Sequence, residues 1–206
     1  GCGIVVILPA NPVRRRGDCH RTDPGAGWED RPMEDRRPGS GRYARLEREQ
    51  RWVLDSVPTE ARPRAEIVDR YLLGTRLRLR RMTSSDGLVL KLGQKVRVEA
   101  TDPERVMVTS IYLSPEEFDV LATLPAAEIA KSRFVLPWGT GALAVDRFHG
   151  RLRGLVLAEI ELGADDELLD PPPFARADVT HDDRYSGGEL ASATASEIAA
   201  LLQRWI

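Results

Sequence analysis

The stretch Leu46-Glu47-Arg48-Glu49-Gln50-Arg51-Trp52 limits what this chain can fold into more than any other. Read as a strand, it places Glu47, Glu49 and Arg51 on one face, because successive side chains point to opposite sides. Leu46, Arg48, Gln50 and Trp52 take the other face. The same alternation of charge recurs downstream. Arg76, Arg78 and Arg80 alternate with Leu77 and Leu79, and Lys91 lies between Leu90 and Leu92. Lys131 and Arg133 stand two apart. Glu159 and Glu161 alternate with Ala158, Ile160 and Leu162, and Asp146 sits between Val145 and Arg147.

If these faces point outward, the result is an ordinary sheet with a charged exterior. If they point inward, they line a charged interior. Unpaired charges cannot be buried at tolerable cost, but a water-filled tunnel that holds metal and phosphate satisfies both signs. Carboxylates suit a hard divalent cation, and guanidinium groups grip phosphate bidentately. The apolar halves of the strands would then face outward and need cover.

The rest of the chain supplies more strands and few helices. Strand patterns run over 43–54, 65–81, 88–92, 95–100, 106–113, 131–137, 143–148 and 155–162, with a short one at 177–180. Thr83-Ser84-Ser85-Asp86-Gly87 reads as the turn of a hairpin. Ser114-Pro115-Glu116-Glu117 starts a helix that should bury Phe118, Leu121 and Leu124. A terminal helix is expected over 193–206, with Ile198, Leu201, Leu202 and Trp205 on one side. The expectation is a mainly β (α+β) chain: an antiparallel barrel of about eight strands with flanking helices.

Residues 1–42 differ. They are rich in Arg, Asp, Gly and Pro and lack periodicity after Ala10. The segment is expected to be disordered or foreign to the native domain, which would span 43–206. The run from Ile4 to Ala10 is too short to span a bilayer and a poor match to a signal peptide. Cys2 and Cys19 suggest no disulfide framework, and a reducing cytoplasm is expected. A net charge of -2 argues against a nucleic-acid binder. No membrane partner is expected, and homodimerisation is left open.

Over residues 43 to about 190 the chain resembles a CYTH domain of the triphosphate tunnel metalloenzyme superfamily. Glu47-Arg48-Glu49-Gln50-Arg51 is similar to that family's opening Glu-x-Glu-x-Lys, with Arg in the last place. Asp69-Arg70-Tyr71-Leu72, Gly74 to Arg80, and Lys91-Leu92-Gly93-Gln94-Lys95 follow in the family's order. So do Ile111 to Ser114, Val145 to Gly150, and Ala158-Glu159-Ile160-Glu161. Val179-Thr180 with Arg184-Tyr185 resembles the closing motif. The chain departs from the pattern at Asp178, where a Glu is usual, and at Ser186-Gly187-Gly188, where a Ser-Asn type ending is usual.

The resemblance implies a tunnel that binds a small-molecule triphosphate with Mg2+ or Mn2+. It implies metal-site roles for Glu47, Glu49, Glu159 and Glu161, with Asp146 as a further candidate. It places Arg51, Arg76, Arg78, Arg80, Lys91, Lys131, Arg133 and Arg184 along the triphosphate path. Glu47, Glu49 and Arg51 would be catalytic. The leading expectation is hydrolysis of inorganic or organic triphosphate. The alternatives are a class IV-type adenylate cyclase and a polyphosphate- or nucleotide-binding module without turnover. His149 and His181 fall in expected turns and have no expected role.

Overall fold

The computed structural model describes residues 43–99, 102–139, 141–163 and 166–204. The expectations for residues 1–42 and for Trp205 lie outside this set. Nine antiparallel strands form: β1 (Arg45–Leu54), β2 (Arg62–Leu72), β3 (Leu77–Ser84), β4 (Gly87–Glu99), β5 (Asp102–Tyr112), β6 (Ala126–Trp138), β7 (Gly141–Phe148), β8 (Val156–Leu162) and β9 (Ala175–Asp178). Helix α1 (Pro115–Ala122) joins β5 to β6, and α2 (Gly187–Ser192) and α3 (Ala195–Gln203) follow β9. Among the described residues no helix is long and apolar enough to cross a membrane.

The strand order is β5-β4-β3-β2-β6-β7-β8-β1-β9, and β5 also pairs with β1. That last pairing closes eight strands into a barrel. Strand β1 is the seam. One of its edges pairs with β8 over Arg48–Leu54. The other edge is shared: β5 takes Arg45–Arg48 and β9 takes Trp52–Leu54. Between them the Arg51 carbonyl accepts from the Val179 amide at 2.9 Å, and the Arg51 amide donates to Thr180 Oγ1 at 3.0 Å.

Local signals explain several boundaries. The β3–β4 hairpin turns on Ser85-Asp86, and Gly87 takes a φ of 120° that a β-carbon would resist. Ser114 and Thr194 each begin a helix with a reciprocal capping box, to Glu117 and Glu197. The second box starts α3 at Ala195, two residues into the expected terminal helix, and the preceding helix α2 was not foreseen. Two further readings change. The patterns at 88–92 and 95–100 are parts of the single strand β4. The 65–81 pattern is β2 and β3, divided by a turn in which Gly74 has a φ of 73°.

Two apolar clusters flank the lumen. In the first, inward residues Val53, Ile129, Phe148 and Leu157 meet Val179, Tyr185, Leu190, Ile198 and Leu201. Helices α2 and α3 thus plug the barrel end where β1 finishes. In the second, the outward residues Trp52, Leu143, Val145, Ala158 and Ile160 pack under Val57, Ala61, Phe174 and Ala175. Loops, not helices, cover this outer wall. Gln50, 2% exposed, clamps that cover by bonding both the carbonyl and the amide of Leu169, at 3.1 and 2.7 Å. Arg48 donates to the carbonyls of Gly163 and Asp166. Helix α1 buries no residue: Phe118 and Leu121 are half-buried and Leu124 is exposed. The wall that it joins, formed by β3 to β5, is already closed by strand pairing, so α1 lies on the barrel and not in its core.

Candidate functional site

The alternating charges point inward. They line a cavity of about 980 Å³, at the upper end of the range for small-molecule pockets. Nine Arg and Lys side chains line it against seven carboxylates. The signs are segregated. Strands β3, β4 and β6 supply most of the cations, and β1 and β8 supply Glu47, Glu49, Glu159 and Glu161.

The cation wall is held from behind by two buried carboxylates that do not line the cavity. Asp69, 1% exposed, receives Arg80 through Nε and Nη2 at 2.6 Å each, with Arg78 Nε at 3.7 Å. Burial pushes its pKa up, but Arg80 and Arg78 outweigh that and hold it at about 2. Asp146, also 1% exposed, receives Arg133 at 2.7 and 2.6 Å and Lys131 at 2.5 Å. Burial works against its charge, and Lys131 with Arg133 keeps it ionised below the usual carboxylate range. Both pairs were set by register: Asp69 stands opposite Arg80, and Asp146 opposite Arg133.

The acidic wall is built differently. Glu49 faces Glu161 and Arg51 faces Glu159 across the β1–β8 ladder. Arg51 Nε donates to Glu159 Oε1 at 2.7 Å, and its Nη2 to Glu49 Oε2 at 3.3 Å. Arg133 Nη2 also approaches Glu159, at 3.5 Å. Burial opposes the Glu159 charge, but Arg51, Lys131 and Arg133 drive its pKa far down. Lys95 Nζ sits between two carboxylates, 3.3 Å from Glu47 and 3.0 Å from Glu49. Burial lowers its pKa, yet those glutamates raise it on balance. Glu161 is exposed and makes no hydrogen bond or ion pair among the described residues.

Among the described residues, no three acidic, His or Cys side chains converge as a preformed metal cluster. The donors nonetheless fit a hard cation. They are carboxylates on adjacent strands, and two of them already clasp a cation in the form of the Lys95 ammonium.

Most residues expected at the site line one cavity: Glu47, Glu49, Arg51, Arg76, Arg78, Arg80, Lys91, Lys131, Arg133, Glu159 and Glu161. Two do not. Both Asp146 oxygens are taken by cations behind the wall. Arg184 is exposed and does not line the cavity; a 3-10 turn at Asp183–Tyr185 carries it outward, where it forks onto Asp182 at the cavity's edge at 2.8 and 2.5 Å. Asp178 accepts from the Thr180 amide at 2.8 Å. His149 contacts Ser132 Oγ at 2.7 Å, away from the cavity.

The sequence reading missed the buttress role of Asp69 and the lumen positions of Lys95 and Tyr71. Lys95 lies four residues beyond Lys91, hence on the same strand face, a parity hidden when β4 is read as two strands. Tyr71 is half-buried, and desolvation raises its pKa and keeps the phenol protonated beside Arg78. Its hydroxyl lies so close to Gly187 that a β-carbon there would overlap it.

No family model and no curated protein matches the chain. Solved structures that resemble it include one described as the inorganic triphosphatase NE1496. It is 22% identical, with 72% of this chain and 95% of that one covered and a TM-score of 0.49. Another, described as the hypothetical protein NE1496, is 23% identical over 71% of this chain and 98% of that one, also at 0.49. PH1819 from Pyrococcus horikoshii OT3 is 14% identical over 77% and 89%, at 0.43. The closed eight-stranded antiparallel barrel with a charged lumen is the architecture expected from the sequence.

Proposed function

We propose that this chain is a divalent-metal-dependent triphosphatase acting on a small-molecule triphosphate inside the barrel. The carrying observation is the segregation of the lumen into a buttressed cation wall and a carboxylate wall. A ligand that bears many negative charges and brings a cation satisfies both walls at once.

In this reading Arg78, Arg80, Lys131 and Arg133 grip phosphoryl oxygens. Asp69 and Asp146 keep them from repelling one another and fix their direction, so little reorganisation is needed on binding. Lys91 is half-buried, and burial together with Arg80 and Arg78 lowers its pKa. An incoming anion would relieve that repulsion. Glu47, Glu49 and Glu161 would hold Mg2+ or Mn2+, with Glu159 beside them. Such an ion, when bound, neutralises phosphoryl charge and acidifies a bound water. Arg51, forked between Glu49 and Glu159, ties the metal side to the phosphate side.

The test is phosphate release from inorganic triphosphate, ATP and thiamine triphosphate with Mg2+, Mn2+ or EDTA. Metal-dependent release supports the proposal. Cyclic AMP and pyrophosphate from ATP would redirect it to a cyclase, and binding without turnover to a binding module.

A further inference from the structure

Six of the nine lumen cations fall into two classes. Arg78, Arg80, Lys131 and Arg133 are anchored by Asp69 and Asp146, carboxylates outside the cavity. Among the described residues the Arg51 and Lys95 side chains pair with the lumen's own glutamates. The first class stays in place whatever enters. The second class occupies the oxygens that a metal would need.

Resting on the triphosphatase reading, we infer that Lys95 is an exchangeable counter-ion that couples metal binding to triphosphate binding. Its ammonium neutralises Glu47 and Glu49, at 3.3 and 3.0 Å. A metal ion arriving alone must displace it and leave an ammonium that is 38% exposed near Arg78 with its two carboxylates taken, so like charges crowd the wall. A triphosphate arriving alone must pull it away and leave two adjacent carboxylates uncompensated. Arriving together, the anion takes the ammonium and the metal takes the carboxylates. No covalent bond changes; the ion pairs exchange partners. Each ligand therefore raises the affinity for the other by the same factor. Lys95 acts here as a positioning residue, not as a group on the reacting atoms.

The test is Mn2+ binding to the full chain, read from the free-ion electron paramagnetic resonance signal. It is run with and without inorganic triphosphate and referenced to protein-free mixtures of the same two ions. Triphosphate binding in EDTA, followed by calorimetry, gives the reciprocal arm. The wild-type protein should bind Mn2+ about 5- to 150-fold more tightly with triphosphate than without, the usual span of such coupling. Lys95→Met should bind Mn2+ alone more tightly than wild type, bind triphosphate in EDTA more weakly, and lose most of the enhancement. Equal Mn2+ affinity in wild type with and without triphosphate would overturn the coupling while leaving the metal site intact. No protein-bound Mn2+ under any condition would overturn the metal reading, and the coupling with it. The wild-type arms decide between these outcomes even if the variant does not fold.

Discussion

Glu49 and Glu161 stand directly opposite each other on β1 and β8. Like charges across a ladder are unfavourable by roughly 0.2–1 kcal/mol. Glu49 is compensated by Lys95 and Arg51, whereas Glu161 has no hydrogen bond or ion pair among the described residues. Glu161→Gln should therefore leave the metal-free protein as stable or more stable, within about 1 kcal/mol by urea unfolding. The same change should remove most metal-dependent turnover. A loss of both stability and turnover would count against the site.

Asp69 carries a different burden. Asp69→Asn leaves Arg80 and Arg78 partly buried without their counter-charge, so it should cost about 3–5 kcal/mol. Its pKa is about 2 in the folded protein, against 3.8 for an ordinary aspartate. Its contribution is therefore complete above pH 3.8 and lost as pH falls towards 2. Acid titration of stability should show the wild type losing more than Asp69→Asn across that window.

Gly187 and Tyr71 make a steric pair. Gly187→Ala pushes a methyl group into the Tyr71 hydroxyl, and Tyr71 sits against Arg78. Overpacking of this kind costs about 1–3 kcal/mol. The binding of inorganic triphosphate should weaken as well, because Arg78 must shift. Adding Tyr71→Phe removes the colliding oxygen and should recover part of the thermal stability. If the double variant is as impaired as the single, the clash is not the cause.

Two helices with similar apolar patterns should respond differently to truncation. Leu201→Ala on α3 opens a cavity in the plug, and large-to-small changes of this kind cost about 2–5 kcal/mol. Val120→Ala on α1 alters a side chain that is 70% exposed and should change stability by less than about 0.5 kcal/mol. Chemical denaturation of both variants checks this contrast.

The strands and the inward charges were legible because period two survives in any strand, buried or not. Glu47, Glu49 and Arg51 could be assigned to one face from spacing alone. The buttresses were not legible, because the pairing of Asp69 with Arg80 depends on the register of two strands, which spacing within one strand does not specify. Arg184 was misplaced for a related reason: a 3-10 turn breaks the alternation that would have carried it inward. The cover of the outer wall was also hidden. Leu169 and Gln50 meet across 119 residues, and Phe174 packs against the Trp52 cluster, through a loop that has no periodicity to read.

The divided edge of β1 has a consequence for the order in which the protein can be made. Strand β1 leaves a ribosome before the other described strands and waits for β8, then β9 and the Val179–Thr180 segment, whose bonds to Arg51 span more than a hundred residues. Until then Glu49 and Arg51 have no partner on one flank and only part of one on the other. Contacts of such long sequence separation form late and slowly. A nascent chain stalled before residue 175 therefore carries almost every charge of the lumen but lacks the β9 edge and the α2–α3 plug that complete its end.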